Sequence, residues 1–199
     1  MPGHMIHLMV AKKVCPDAGT GFFIGNIAPD AVHKDREKKD KVHFAYAPDM
    51  EAALKEFAAK ADHDYLKGFL LHLYVDWKWN TTYLADFARN VDSSWQYWYE
   101  AYHIENSKMT SYAFYTTEWA AEHYNQMEND DYSDFVDTEF ITKENTMEWV
   151  SSAKKWLSVN RLESSEVFPP ELVEKFANDT ADDFAKWFSR RTGSVPENA

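Results

Sequence analysis

The sequence predicts an all-α fold in a single domain, and three observations lead to this prediction. Only six glycines and seven prolines occur, and most lie at or before Pro48 or after Phe168, so few residues interrupt helices in the middle of the chain. Hydrophobic residues make up 45% of the chain and aromatic residues 16%, which is too apolar for a disordered protein. Apolar residues recur at helical spacing, and a length of 199 residues suits one core.

Apolar residues recur at helical spacing within 6–14 and predict a first helix of about three turns. His7 lies on this helix. A short apolar run, 22–27, then leads to the sequence Ala-Pro-Asp, which ends at Asp30. Proline restricts the residue before it and favours a loop or a helix-breaking turn. Asp30 is therefore expected on a bend.

Three segments follow in the first half of the chain. Residues 33–41 read HKDREKKDK, which has no apolar face and predicts a solvated surface loop leading to His43. Pro48 marks a helix start, and an amphipathic stripe predicts a second helix over 50–60. Residues 62–84 contain the longest apolar run, GFLLHLYVDWKW, which lacks strand-like alternation and predicts the central buried helix.

The second half of the chain is predicted to be helical as well. Four helices are expected near 93–105, 110–128, 143–158 and 170–189, the last opened by Pro169-Pro170 and closed near Gly193. Their stripes are rich in Trp, Tyr and Phe. The Trp and Tyr residues within 77–102 either form core or line a pocket. No repeat or linker divides the chain, so one domain is expected over 1–199.

Charge and cysteine content limit the classes of function. The net charge of −12 disfavours binding of nucleic acid or an anionic membrane through a basic face, unless bound cations reverse the sign locally. Cys15 is the single cysteine, so any metal must take histidine and carboxylate ligands. No apolar run approaches a membrane span, and the first residues lack the features of a secretion signal. We therefore expect a cytoplasmic protein without a membrane partner.

A cluster of potential metal ligands lies in the first 80 residues. His72 and Asp76 are four residues apart on the central helix, so both can reach one ion. Apolar residues flank this pair, and a buried carboxylate needs a partner that neutralises it. A divalent cation is one such partner, and a hydrogen bond from the histidine is the other. Asp30 and His43 would complete a set of two histidines and two aspartates, which is typical of zinc and other first-row metals.

The order of these residues resembles a known family. The segments FFIGNIAPD and GFLLHLYVD, with His43 between them, are similar to the pattern of zinc-dependent phospholipase C, a family of helical phosphodiester hydrolases. The resemblance covers about residues 4–80. It implies a helical bundle of the phospholipase C type in which Asp30, His43, His72 and Asp76 bind the principal zinc ion.

The resemblance also bears on the remaining histidines. His7 resembles an early helix histidine of the family, which implies a further zinc ion bridged through Asp76. His4 and His33 are close enough in sequence to compete with His7 or to orient a ligand. A later cluster of His and Glu that the family carries has no clear counterpart, and residues 81–199 match only as helical.

Three functions are compatible with this sequence. The first is a metal-dependent hydrolase with one or two ions of zinc or another first-row divalent metal. Its partner would be a small soluble phosphodiester or phosphomonoester, and the resemblance implies that Asp30 is a ligand that doubles as the catalytic base. The second is a phosphohydrolase of the His-Asp type, for which His63-Asp64 is the only adjacent dipeptide. The third is a non-catalytic metal-binding helical module.

Overall fold

The computed structural model describes residues 1–90 and 95–192, and every regular element within these ranges is helical. The α-helices are α1 His4–Val14, α2 Thr20–Ile27, α3 Arg36–Val42, α4 Met50–Ala58, α5 Asp64–Trp79, α6 Ala85–Asn90, α7 Trp95–Thr116, α8 Ala120–Glu128, α9 Lys143–Val159 and α10 Pro170–Thr192. A 3₁₀ helix, Ala28–Val32, follows α2, and a π turn, Asn80–Leu84, follows α5. The predicted all-α fold is confirmed. None of the described helices is long and apolar enough to cross a membrane.

Helix α5 is the centre of the structure, as its apolar sequence predicts. It packs against α2 most extensively and also contacts α1, α4 and α10. Most of its side chains are buried, including Leu70, Leu71 and Trp79, none of which is exposed at all. The bend expected at Asp30 is the 3₁₀ helix, because Pro29 occupies its first turn and ends the regular α2 pattern.

The predicted surface loop over 33–41 is wrong, since most of this segment belongs to helix α3. Its side chains are largely solvated, as expected, but polar contacts rather than apolar periodicity stabilise the helix. The Asp35 carboxylate accepts a hydrogen bond from the Lys38 N–H at the helix start, and Glu37 pairs with Lys41 one turn apart. Helix α3 ends at His43, where the next residue, Phe44, adopts a left-handed conformation with φ of 54°.

The predicted interruption between 105 and 110 is also wrong, because α7 runs without a break through this region. The chain leaves the helix after Thr116 instead and re-enters one at Ala120. Met109 and Thr110 are 3% exposed, so packing against the core maintains helix where Asn and Ser are weak helix formers. The predicted helix start at 93 and the closure near Gly193 lie outside the described residues. The helices predicted over 143–158 and 170–189 are confirmed.

Two glycines allow α2 and α5 to approach each other very closely. A Cβ atom at Gly68 would lie 2.0 Å from the Phe22 carbonyl oxygen, and one at Gly25 would lie 2.0 Å from the Tyr65 carbonyl oxygen. Only residues without a side chain can occupy these positions at this helix separation. The backbone of α2 is thereby brought within hydrogen-bonding reach of side chains on α5.

The aromatic residues from the end of α5 to α7 divide between core and cavity. Trp79 is fully buried and packs against Phe168 and Phe176. The Trp79 indole N–H donates to the Tyr102 hydroxyl oxygen at 2.9 Å, and Tyr102 forms part of a cavity wall together with Trp98. The expectation of core therefore holds for Trp79, and the expectation of a pocket wall holds for Tyr102 and Trp98.

Candidate metal centre

The five predicted ligand residues meet at one buried point between four elements. His7 lies on α1, Asp30 on the 3₁₀ helix, His43 at the C-terminal end of α3, and His72 and Asp76 one turn apart on α5. None of the five is more than 8% exposed. Burial of five ionisable side chains in one place is costly unless their charges and lone pairs are matched.

Three of these residues form a compact set around one carboxylate oxygen, and a fourth lies at its edge. The Nε2 atoms of His43 and His72 each lie 3.4 Å from Asp76 Oδ2, and they are 3.1 Å from one another. Asp30 Oδ1 lies 3.6 Å from His43 Nε2. Ligands of a tetrahedral zinc ion, bound at about 2.05 Å, are separated by about 3.3 Å. The separations of 3.1–3.4 Å among His43, His72 and Asp76 therefore match the edges of such a tetrahedron, and Asp30 approaches it through His43.

Backbone carbonyl groups fix the orientation of both histidine rings. His43 Nδ1 lies 2.8 Å from the Lys39 carbonyl oxygen, and His72 Nδ1 lies 2.8 Å from the Asn26 carbonyl oxygen. A carbonyl oxygen only accepts hydrogen bonds, so each Nδ1 must carry the proton. In the neutral rings both Nε2 atoms then present lone pairs to each other and to Asp76. Such an arrangement is typical of metal-binding histidines.

His7 approaches the cluster from the other side of Asp76. Its Nε2 lies 3.3 Å from Asp76 Oδ1, whereas the other carboxylate oxygen faces His43 and His72. The His7 ring stacks on the His72 ring, with centroids 3.9 Å apart and an interplanar angle of 6°. The two oxygens of Asp76 thus face different histidines, which is the arrangement that a bridging carboxylate requires.

Several polar atoms in the cluster have no hydrogen-bond partner among the described residues. They are both oxygens of Asp76 and both ring nitrogens of His7. A buried carboxylate without donors is strongly disfavoured unless a cation lies next to it. The chemistry of the donor set therefore fits a divalent metal, and either His43, His72 and Asp76 or His7, Asp30 and His72 could hold one.

The charges of the cluster are strongly coupled. Burial acts to raise the pKa of Asp76, but the neighbouring His72 and the contact with His7 outweigh burial and hold this pKa well below the usual value. Burial likewise acts to lower the pKa of His72, yet the Asp76 carboxylate raises it above the ordinary value. Asp76 is therefore ionised at neutral pH and attracts either a proton on His72 or a metal ion.

Burial and the same neighbouring charges also shift the pKa values of the other candidate ligands. Burial, followed by the positive charge of His72, lowers the pKa of His7 to about 4. Burial also lowers the pKa of His43. For Asp30, burial acts to raise the pKa, but His72, Lys39 and His43 together lower it. At neutral pH the cluster thus contains anionic carboxylates and at least two neutral imidazoles, which are the forms that bind metal.

The cluster opens on one side into a cavity of about 590 Å³. Asp30, His43 and Asp76 contribute to the wall of this cavity, whereas His7 and His72 lie behind them. A volume of this size is typical of sites for small molecules. An ion held by the cluster would therefore face a space that admits a ligand. We refer to this space as the metal cavity.

The wall of the metal cavity carries positive side chains despite the acidic composition of the chain. Lys39 lies beside the cluster, with Nζ 3.8 Å from Asp30 Oδ1. Arg36 also lines the cavity but is largely exposed and pairs with Asp40. Because Lys39 is only 29% exposed and faces the cavity, it is the better placed of the two to contact a bound anion.

The remaining histidines of the first half lie outside the ligand set. His33 Nδ1 donates to the Asp30 carbonyl oxygen at 3.0 Å, so it supports the bend that carries Asp30. His4 packs edge-on against Trp149. His63 is the residue that precedes α5, where its Nδ1 accepts a hydrogen bond from a backbone N–H, and Asp64 pairs with Lys67 at the surface. The His63-Asp64 dipeptide therefore lies roughly 13 Å from His72 along the helix and does not join the cluster.

Two contributors to the site were not predicted from the sequence. Asn26 provides a backbone carbonyl, which any residue type can supply, so its role leaves no signal in the sequence. Lys39 provides both a carbonyl for His43 and an ammonium group near Asp30. Its spacing of four residues from His43 would have indicated a shared helix face if α3 had been recognised as a helix.

Comparison of the chain with protein-family models, with curated proteins and with solved structures found no match. The assignment of a candidate metal centre therefore depends on the geometry of the five residues and on the chemistry of their side chains.

Proposed function

We propose that this chain is a metal-dependent hydrolase of small phosphate esters, with zinc or another first-row divalent metal held by His43, His72 and Asp76 and with Asp30 beside the open position. The observation that carries the proposal is the opening of the buried ligand cluster into the metal cavity. Structural zinc sites are closed by protein ligands, whereas catalytic sites keep one position open. The similarity of residues 4–80 to zinc-dependent phospholipase C supports the same activity.

The residues of the cluster have distinct roles in this proposal. An ion bound by these residues would supply Lewis acidity, which would lower the pKa of a coordinated water and offset the charge of the phosphate group. His43 and His72 are held in the correct tautomer by backbone carbonyls, and Asp76 neutralises the site. Asp30 lies at the cavity side of the cluster and is ionised, so its carboxylate can orient the attacking water and accept its proton. Lys39 lies next to Asp30 and donates to a phosphate oxygen.

A second metal ion would account for His7. Its unpartnered Nε2 faces Asp76 Oδ1, while Asp76 Oδ2 faces the principal ligands. The proposed enzyme therefore binds one ion through His43, His72 and Asp76, and His7 would help to bind a second ion that shares Asp76. Two-metal sites are common among enzymes that hydrolyse phosphate esters.

The two other candidate functions receive less support. A phosphohydrolase of the His-Asp type would place the adjacent dipeptide at the metal, and His63-Asp64 lies at the surface start of α5. A non-catalytic metal-binding module agrees with the buried ligands, but it gives no reason for a cavity that ends at Asp30 and Lys39. A measurement of hydrolytic activity distinguishes a catalytic metal site from a structural one.

The experiment uses protein stripped of metal and then reconstituted with Zn²⁺, Mn²⁺ or Co²⁺. Hydrolysis of p-nitrophenyl phosphate and of bis(p-nitrophenyl) phosphate is measured for wild type, Asp76→Asn and Asp64→Asn. Asp64 is a matched control because it lies on the same helix but is exposed and outside the cluster. We expect metal-dependent hydrolysis by wild type and Asp64→Asn and its loss in Asp76→Asn. A folded, metal-loaded wild type that hydrolyses neither ester would contradict the hydrolase and favour the binding module.

A further inference from the structure

Part of the wall of the metal cavity is aromatic and apolar. Helix α7 contributes Trp98, Tyr99 and Tyr102 to this part. Met50, the first residue of α4, and Leu84, the last residue of the π turn, line the same cavity. We refer to these five residues as the aromatic wall. A ligand that fills the metal cavity therefore contacts charged side chains in one part and apolar side chains in another.

Tyr102 places the aromatic wall close to the ligand cluster. Its hydroxyl oxygen accepts a hydrogen bond from the Trp79 indole N–H at 2.9 Å, and Trp79 lies on α5 just beyond Asp76. Burial raises the pKa of the Tyr102 hydroxyl, and the negative charge of Asp76 adds to this rise, so the two groups are near one another. The aromatic wall thus begins beside the candidate metal ligands.

The hydroxyl group of Tyr102 is already occupied by contacts within the protein. It accepts from Trp79 and donates to the Met1 carbonyl oxygen at 2.5 Å. A phenolic hydroxyl has one proton to donate, so this group has none left for a ligand. Tyr102 therefore contributes an aromatic ring to the cavity rather than a polar contact.

Trp98 and Tyr99 are the more accessible aromatic residues of the wall. Trp98 is partly buried against the core, and Tyr99 is 46% exposed. The Tyr99 ring packs edge-on against His103, one turn further along α7, with centroids 4.3 Å apart. The Trp98 and Tyr99 rings are also edge-on to each other, at 6.3 Å. These ring contacts hold a preformed aromatic surface in the wall of the cavity.

The composition of the aromatic wall defines the group that it would recognise. Burial of apolar surface favours an apolar group, and aromatic side chains favour a second aromatic ring in a stacked or edge-on arrangement. A phosphate group would lose its hydration against Met50 and Leu84 without gaining a counter-charge from them. The phosphate group therefore binds at the metal and Lys39, and the rest of the ligand lies against the aromatic wall.

We propose that the aromatic wall binds the alcohol part of the substrate and that this part carries a planar aromatic ring. The substrate class is then the aromatic phosphate esters. This inference rests on the proposed function for its phosphate end, but binding to the aromatic wall does not require hydrolysis. Trp98 and Tyr99 are the substrate-binding residues that determine this specificity.

The test measures binding to the zinc-loaded protein by titration calorimetry, with three phosphonates as probes. A phosphonate keeps the charged end of a phosphate ester but has a P–C bond, which a phosphate ester hydrolase does not cleave. Methylphosphonate has no ring, cyclohexylmethylphosphonate has a saturated ring, and benzylphosphonate has an aromatic ring. The three probes therefore separate recognition of the anion, of apolar surface and of an aromatic ring.

The variants are Trp98→Leu and Tyr99→Leu, which keep an apolar side chain and remove the aromatic ring. The second variant replaces an exposed residue, so it tests the proposal even if the first one fails to fold. Trp119→Leu is the matched control, because Trp119 is also partly buried against the core but does not line the metal cavity. Thermal unfolding and zinc content are recorded for every variant.

We expect wild type to bind benzylphosphonate at least about tenfold more tightly than methylphosphonate, because a ring is buried. It should bind benzylphosphonate about threefold more tightly than cyclohexylmethylphosphonate, because aromatic rings attract one another beyond their burial. Each variant of the aromatic wall should weaken benzylphosphonate about threefold and leave methylphosphonate unchanged. The Trp119→Leu control should bind all three probes as wild type does.

Equal affinities of benzylphosphonate and cyclohexylmethylphosphonate in wild type would overturn the inference and indicate that the wall binds apolar groups of any shape. Benzylphosphonate that binds no more tightly than methylphosphonate, or no binding of any probe, would overturn it as well. These results would leave hydrolysis of the nitrophenyl esters as a separate observation. A protein that prefers benzylphosphonate through Trp98 and Tyr99 but hydrolyses neither ester would support the aromatic wall and contradict the proposed hydrolase.

Discussion

The Nε2 atoms of His43 and His72 lie 3.1 Å apart, although the Nδ1 atom of each ring already donates to a backbone carbonyl group. Two neutral rings held in this way present lone pairs to each other, which is repulsive. The contact is stable only if a proton on one ring or a metal ion lies between them. Asp76 Oδ2, 3.4 Å from both nitrogens, supplies the negative charge that either cation needs.

A metal ion accounts for more of the cluster than a proton does. A proton on His72 would pair with Asp76 and satisfy the contact with His43, but it would leave out His7, whose Nε2 lies 3.3 Å from the other oxygen of Asp76. Asp30 also lies 3.6 Å from His43 Nε2, which is an ordinary separation for two ligands of one ion. The predictions below follow from this interpretation.

Removal of the positive charge at residue 39 should weaken anion binding without loss of metal. Lys39→Met keeps the backbone carbonyl that orients His43 and removes the ammonium group 3.8 Å from Asp30. We expect the Kd for inorganic phosphate, measured by calorimetry on zinc-loaded protein, to rise about tenfold because one charge-assisted hydrogen bond is lost. The control is Lys38→Met, since Lys38 pairs with Asp35 and lies outside the cavity. Equal effects of the two substitutions would show that Lys39 acts only through net charge.

The close packing of α2 against α5 should be required for both stability and metal affinity. Gly68→Ala places a Cβ atom 2.0 Å from the Phe22 carbonyl oxygen, so the helices must separate. We expect a loss of about 2 kcal/mol in the free energy of unfolding, measured with urea, because overpacking strains the backbone. The Asn26 carbonyl would then move away from His72, and zinc affinity should fall as well.

Gly19→Ala is the matched control for this substitution. No atom lies within 4 Å of a Cβ built at Gly19, so the change should cost less than about 1 kcal/mol and leave zinc affinity intact. A Gly68→Ala protein with unchanged zinc affinity would contradict the proposed link between helix packing and the orientation of His72.

Acid should destabilise the metal-free protein partly through His4. Burial lowers the pKa of this residue from 6.5 to about 4 in the folded state, so the unfolded chain binds the proton more readily. The contribution of His4 to stability is therefore complete above pH 6.5 and is lost as the pH falls toward 4. We expect His4→Gln to reduce the loss of unfolding free energy between pH 7 and pH 4 by about 2 kcal/mol. Parallel pH profiles of the two proteins, measured with urea in the presence of a chelator, would contradict this assignment.

The sequence predicts those helices in which apolar residues recur at helical spacing and face the core. Helix α5 and the pair His72 and Asp76 could be located because an apolar run and a spacing of four residues are both local signals. Helix α3 was not predicted, because capping by Asp35 and ion pairs between neighbouring turns leave no apolar stripe. The continuity of α7 depends on burial of Met109, which only tertiary contacts reveal.

The candidate site was predicted as a set of residues but not as an arrangement. Residue types and positions indicated that Asp30 and His43 would join the pair on α5, because carboxylates and imidazoles near an apolar helix need a common partner, whereas only the resemblance to zinc-dependent phospholipase C implied His7. The stacking of His7 on His72 and the carbonyl of Asn26 depend on how the helices pack, so no sequence pattern encodes them.

The most direct test of the metal centre is the metal content of protein purified without a metal-binding tag, measured by elemental mass spectrometry. Wild type is compared with His72→Ala and Asp76→Ala, and with His63→Ala and Asp64→Ala as controls at the start of the same helix. We expect at least about one zinc or similar ion per chain in wild type and in both controls, and its loss in the two cluster variants. A folded wild type that contains no metal and takes up none from Zn²⁺ would contradict the metal centre and indicate that a proton on His72 neutralises Asp76.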